Sequence, residues 1–146
     1  MIIGAELGNV PKFRKNIKGG RILTFYMSYQ AKNWCFTINN YTPDELELME
    51  DLSQRIPNEI NYLIVGKEIG ENGTPHFQGF IQLVKKKRLG QVRALLGGRA
   101  HCEVMSENSN PWAAATYCKK EEDFVEWGVL QNRGIIDDCY ARLILV

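Results

Sequence analysis

Two groups of residues in this chain could do chemistry together. The first lies in "NGTPHFQGF" (72–80), where His76 and Gln78 stand two positions apart in a strand-like run. Side chains on a strand alternate between faces, so His76, Gln78, Phe80 and Gln82 share one side, and Phe77, Gly79, Ile81 and Leu83 take the other as a core face. An imidazole beside an amide oxygen suits a divalent cation of intermediate hardness, Mn²⁺ or Mg²⁺. The carboxylate such a cation needs is at hand in Glu68, which ends the preceding strand and faces His76 across a turn. The plainer reading of the same residues is an exposed sheet face with a solvated histidine. The second group lies in "ATYCKKEE" (115–122), where Tyr117 and Lys120 are three apart and share a face of a predicted helix. A tyrosine with its ordinary pKa of about 10 is a weak nucleophile. A lysine beside it can stabilise phenolate or phosphate charge, and a metal on the phosphate would add Lewis-acid activation. Alone, the pair reads as a surface helix with a half-buried tyrosine.

The elements that must position these residues follow from periodicity. "NWCFTIN" (33–39) alternates as a strand does. "TPDELELMEDLSQ" (42–54) opens with Thr42 as N-cap, Pro43 in the first turn and Glu45 three residues after the cap, then runs Leu46, Met49, Leu52 as a helical stripe. "INYLIVGKE" (60–68) and "HFQGFIQLV" (76–84) are strands of a hairpin joined through "IGENG". "KRLGQVRALLG" (87–97) is a helix stopped by Gly97–Gly98. "AHCEVM" (100–105) is a strand, "NPWAAATYCKKEE" (110–122) a helix capped by Asn110, and "FVEW" (124–127) a last strand. The order β-α-β-β-α-β-α-β predicts an α+β fold: a central antiparallel sheet of about five strands with helices packed on it. Three parts are expected: an N-terminal arm (1–31), the patterned domain (32–128) and a tail of unassigned role (129–146).

Composition bounds the rest. The chain has 146 residues, 45% of them hydrophobic, enough to bury the core of one domain. A net charge of +1 gives no global pull on nucleic acid, so any DNA contact must be local. No apolar run is long enough to span a membrane and no signal peptide is evident. Cys35, Cys102, Cys118 and Cys139 form no CxxC pair, which suits reduced thiols in an intracellular protein; a zinc site of His101, Cys102 and Cys118 has the wrong spacing for a ribbon or finger. The arm carries Lys12, Arg14, Lys15, Lys18 and Arg21 around Gly19–Gly20, a solvated arm or a DNA-contacting or nuclear-targeting tail.

"WCFTINN" (34–40), "TPHFQGF" (74–80) and "YCKK" (117–120) resemble, in order and spacing, the three motifs of the HUH-type rolling-circle replication initiators, the Rep endonucleases of small circular single-stranded DNA viruses. "YLIVGKEIGENGTPHFQGFIQLVKKK" and "LGGRAHCEVM" look especially like the circovirus and cyclovirus branch, whose second motif is His-x-Gln. The resemblance covers about residues 32–128. It implies the ferredoxin- or RRM-like HUH endonuclease fold and origin recognition by the first motif, here Phe36, Asn39 and Asn40. It implies Glu68, His76 and Gln78 as ligands of Mn²⁺ or Mg²⁺, Tyr117 as the nucleophile that cuts single-stranded DNA at a replication origin and stays linked to the 5′-phosphate, and Lys120 as its assistant. Joining of ends by the reverse reaction and, for a viral protein, location in the host nucleus are further implications. Family members usually continue into a helicase domain with a Walker A sequence and can oligomerise as longer proteins; no GxxxxGK[ST] occurs here, so no helicase activity is expected of this chain. Lys67 stands where the circovirus branch has a second acid before the ligand position.

Local DNA contacts are expected from "KKKR", Lys85, Lys86, Lys87 and Arg88, with Arg93 and Arg99 nearby; a solvated turn or a nuclear-import signal fits the same residues. Tyr41 and Trp112 could stack on bases or pack inside. Two functional classes remain in play: a metal-dependent nicking and joining enzyme acting through a covalent tyrosine, and an RRM-like module that binds single strands without chemistry. The missing K/R-G-F/Y-G/A-F-V aromatic pattern weighs against the second.

Overall fold

A computed structural model describes residues 29–106 and 108–131. The basic arm before Tyr29, and Cys139 and the tail from residue 132, lie outside them. Five strands, β1 (Gln30–Asn39), β2 (Ile60–Ile69), β3 (Pro75–Arg88), β4 (His101–Val104) and β5 (Phe124–Gly128), form one antiparallel sheet in the order β4-β1-β3-β2-β5. Helix α1 (Pro43–Ser53) links β1 to β2, α2 (Leu89–Leu95) links β3 to β4, and α3 (Pro111–Cys118) links β4 to β5. The α+β class and the predicted order of elements both hold. The first six elements make the split β-α-β arrangement of ferredoxin-like domains, and α3 with β5 extends it at the β2 edge.

Helices α1 and α3 start where an N-cap side chain makes a cap. Thr42 Oγ1 accepts from the Glu45 amide at 3.2 Å and Glu45 Oε1 accepts from the Thr42 amide at 2.9 Å, a reciprocal capping box that satisfies two otherwise unpaired amides. Asn110 Oδ1 accepts from the Ala113 amide at 2.9 Å to start α3.

The sheet is covered on both sides. On one face Trp34, Phe36 and Ile38 of β1, Leu63 and Val65 of β2, and Phe77, Ile81 and Leu83 of β3 pack with Met49 and Leu52 of α1 and Val92 of α2. On the other, Cys35, Tyr62, Ile64 and Phe80 pack under Ala114, Ala115 and Cys118 of α3. The face read as exposed from the sequence is therefore roofed along its middle: Gln82 is buried, its amide bonded to Asn33 Oδ1 (3.0 Å) and, in both directions, to the backbone of Gln131 (2.7 and 2.8 Å). An open aromatic platform of the RRM kind is ruled out on this face, because α3 buries Tyr62 and Phe80. A zinc site of His101, Cys102 and Cys118 is ruled out too, since Cys102 and Cys118 belong to cores on opposite faces.

Two boundaries that bear on the candidate site residues differ from the sequence reading. Strand β3 continues to Arg88, because β1 starts at Gln30 and pairs Gln30 with Arg88 and Ala31 with Lys87; Lys85–Arg88 are strand, not turn. Helix α3 stops at Cys118 instead of running to 122, because the chain must reverse to pair Phe124 with Gly66, with Glu122 in the left-handed region (φ 65°).

The Gln82–Gln131 bonds bear on the domain limits. Residues 32–128 should fold alone, but less stably than residues 29–131, by about 1–3 kcal/mol, because removing Gln131 takes partners from a buried amide. Urea unfolding of the two fragments checks this; equal stability would show that Gln82 finds other partners.

Candidate metal and nucleophile site

The site forms where the β2–β3 hairpin, the end of β1 and the end of α3 meet. In the sheet register His76 lies between Asn39 of β1 and Glu68 of β2, and Gln78 lies between Thr37 of β1 and Gly66 of β2. The three residues expected as ligands thus occupy adjacent positions on one face, the face that carries α3. The His76 Nε2 is 3.0 Å from Glu68 Oε1, and Gln78 is 8% exposed in the neighbouring row. Glu68 is more deeply set than His76, with side chains 7% and 20% exposed. Among the described residues no group of three or more His, Cys, Asp and Glu side chains is arranged to hold a metal; this set consists of one carboxylate, one imidazole and one amide.

The second group reaches the first through one ammonium. Lys120 Nζ bonds to Glu68 Oε2 and lies 4.4 Å from the centre of the Tyr117 ring. Burial pulls the Lys120 ammonium down, but the Glu68 carboxylate more than offsets this, so Lys120 stays above the ordinary lysine value and charged. Tyr117, in the last turn of α3, is half-buried. Lys120 lies beyond the helix end, so the pairing of the two rests on the turn, where the Lys120 amide donates to the Tyr117 carbonyl at 3.3 Å.

Neighbouring residues hold these parts in place. Lys119 pairs with Glu126 at 3.2 Å, and Glu126 in turn accepts from the Tyr62 hydroxyl, so the residue before Lys120 is tied to β5. Burial and the Glu68 carboxylate push the Cys118 thiol up to about 12, marking how closely the end of α3 presses on the sheet. On the other side, Arg99 grips Glu45 through two bonds (2.7 and 2.9 Å) and donates to the Asn39 and Asn40 carbonyls at 3.0 and 3.3 Å. This clamp sets the β1–α1 turn beside His76. The Arg99 hydrogen bond holds the Glu45 carboxyl below its usual range.

The structure sorts the expected DNA contacts. Phe36 is 1% exposed, a core residue whose ring lies over Gly79, where a Cβ would come within 2.2 Å of it; it cannot touch DNA and serves to place β1. Asn39 and Asn40 are exposed at the site's rim. Arg99 is engaged by Glu45 and two carbonyls instead of standing free for phosphate. Tyr41 stacks on Phe77 with centroids 3.8 Å apart, so it packs on the core. Lys85, Lys86 and Arg88 are exposed and Lys87 is half-buried, at the opposite end of β3 from His76. At about 3.3 Å per strand residue, Lys85 is roughly 30 Å from His76, too far to touch a phosphate bound there.

The sequence reading missed the Glu45–Arg99 clamp and the close approach of the Cys118 backbone to Gly66. Glu45 was legible only as a capping residue, and its partner is 54 residues away. Gly66 carried a signal, since a glycine within a strand often marks a close backbone approach.

The family model for viral replication proteins matches residues 31–121, which contain the whole site. The chain belongs to that family. It is 45% identical over 97 residues to a replication-associated protein of canary circovirus and 46% identical over 93 residues to that of pigeon circovirus, matches covering 65% and 62% of this chain. It is also 37% identical over 106 residues, 71% of this chain, to the Para-Rep C2 protein of a subterranean clover stunt alphasatellite. The matches span 31%, 27% and 36% of those relatives, so the chain corresponds to about a third of their length.

Proposed function

We propose that this domain nicks and joins single-stranded DNA during replication of a small circular genome, through a covalent 5′-phosphotyrosine link. The observation that carries the proposal is the Lys120 ammonium shared between the Glu68 carboxylate, beside His76, and the ring of Tyr117. Membership of the viral replication protein family, with relatives named replication-associated proteins, supports the setting.

Glu68, His76 and Gln78 fit a divalent cation that prefers mixed oxygen and nitrogen donors, Mn²⁺ or Mg²⁺. With one carboxylate, one imidazole and one amide, these three residues would hold such an ion weakly. When bound, the ion supplies Lewis-acid polarisation of the scissile phosphate. The chain's own residues do the rest. The Tyr117 oxygen forms a bond to phosphorus, the P–O3′ bond breaks, and the phenol's proton passes by way of solvent to the departing 3′-oxygen. Lys120 holds positive charge over the Tyr117 ring, 4.4 Å from its centre, as the phenol oxygen becomes anionic. The free 3′-hydroxyl can later attack the phosphotyrosine and reverse the step, which joins ends without ATP. Asn39 and Asn40 at the rim contact the strand near the cut, and Lys85, Lys86, Lys87 and Arg88 contact phosphates further along it.

The test is incubation of the chain with a pool of single-stranded oligonucleotides randomised over about ten positions, in Mn²⁺, followed by a denaturing gel. A covalent protein–DNA band supports the reading; binding without any covalent band favours the non-catalytic module. Lys120→Ala should slow adduct formation about 10²-fold without abolishing it. The same change should tighten Mn²⁺ binding, roughly fivefold or more, because it removes a cation that occupies one oxygen of Glu68. Titration calorimetry with Mn²⁺ alone checks this; weaker binding would place Lys120 outside the metal's surroundings.

A further inference from the structure

Strand β2 carries one residue without a side chain on the α3 face, Gly66, two before Glu68. A Cβ built on it would stand 2.1 Å from the Cys118 carbonyl oxygen and 3.2 Å from its carbonyl carbon. Those atoms are backbone, so no rotamer change relieves the overlap. Gly66 is also in register with Gln78 on one side and Phe124 on the other. The end of α3 therefore rests directly on the β2 backbone, at the row next to the Glu68–His76 row. From there the chain turns through Lys119–Asp123, and the Lys67 amide donates to the Asp123 carbonyl at 2.7 Å. Tyr117 and Lys120 lie one residue before and two residues after Cys118. Their reach to Glu68 is thus set by how low the helix end sits.

We infer that Gly66 is a positioning residue for the reaction proposed above: its missing side chain sets the height at which α3 delivers Tyr117 and Lys120 to Glu68. The inference rests on that reading. A Cβ at position 66 must lift the end of α3 by an ångström or more to reach ordinary contact, from about 2.1 Å to above 3.4 Å. Misplacement of a reacting group on that scale costs about 10²-fold in rate. The metal ligands on β2 and β3 do not move with the helix, so metal binding should change far less than chemistry. With Lys120 drawn away from Glu68, the lysine should also lose its influence on the rate.

The experiment is a double-mutant cycle of Gly66→Ala and Lys120→Ala in the full chain, read as the rate of adduct formation with Mn²⁺ and the oligonucleotide pool, with Mn²⁺ affinity measured in parallel. Gly90→Ala is the control, since the same added Cβ there meets nothing within 4 Å. Gly66→Ala should slow adduct formation about 10²-fold and bind Mn²⁺ at least as well as the parent, and adding Lys120→Ala should slow it little further. Losses that multiply in the double variant would overturn the inference, as would a folded Gly66→Ala that reacts at the parental rate. Should circular dichroism show Gly66→Ala unfolded, Ala115→Val tests the height of α3 independently, by adding bulk to the core that Ala115 shares with Cys118 and the sheet; parental rates in that variant count equally against the inference. A parent chain that forms no adduct defeats the proposed function itself, a separate outcome.

Discussion

Tyr117→Phe should bind single-stranded DNA as the parent does and form no covalent adduct. The substitution removes one oxygen and keeps the ring, so the half-buried packing of Tyr117 and the contact of its ring with the Lys120 ammonium survive. What is lost is the atom that would bond to phosphorus. The effect should be complete, beyond the roughly 10²- to 10³-fold typical of losing one charge-stabilising donor, because no other group can form the ester there. The other described tyrosines are badly placed for the role: Tyr29 packs on the core just before β1, at the opposite end of that strand from Asn39 and His76, Tyr41 is stacked on Phe77, and the Tyr62 hydroxyl is buried, donates to Glu126 and is pushed well above its ordinary pKa by that burial. Peptide mass spectrometry of the parental adduct should map the phosphotyrosine to residue 117. A link at any other residue, or an adduct from Tyr117→Phe, would assign the chemistry elsewhere.

His76→Ala should bring adduct formation below detection in Mn²⁺ or Mg²⁺ while the protein remains folded. His76 belongs to neither apolar core, and its side chain meets the Glu68 carboxylate at the rim of the sheet. Its removal takes a donor from a set that has only three side chains and one charge, and a weak site tolerates such a loss poorly. Gln78→Ala should act in the same direction, and EDTA should stop adduct formation by the parental protein altogether. The checks are Mn²⁺ titration calorimetry and the denaturing gel, with circular dichroism to confirm folding. Full-rate cleavage by EDTA-treated protein would remove the metal from the mechanism.

Much of this arrangement is legible in the order of residues, for identifiable reasons. The Thr42 and Asn110 caps are local signals, and both helices start where those residues predict. The alternation in 76–83 places His76 and Gln78 together and Phe77 and Ile81 in the core, because a strand's period is two whatever its neighbours do. The hairpin brings Glu68 opposite His76 because a tight turn transmits register from one strand to the next. The α+β class follows from the order of those local patterns.

The features that span the chain are not legible in that way. Nothing in "NPWAAATYCKKEE" shows that its helix crosses the back of the sheet, ends at Cys118, and turns at once into β5; the helical period persists past the point where pairing with β2 ends it. Nothing near Arg99 announces that Glu45, 54 residues earlier, engages its guanidinium, or that Phe36 of the first motif lies in the core, its ring over Gly79. Local patterns depend on neighbours a few bonds apart and can be read from order alone. The joining of Tyr117 and Lys120 to Glu68 depends on how closely two backbones approach, at Gly66 and Cys118, and that distance exists only once the sheet and its third helix have packed.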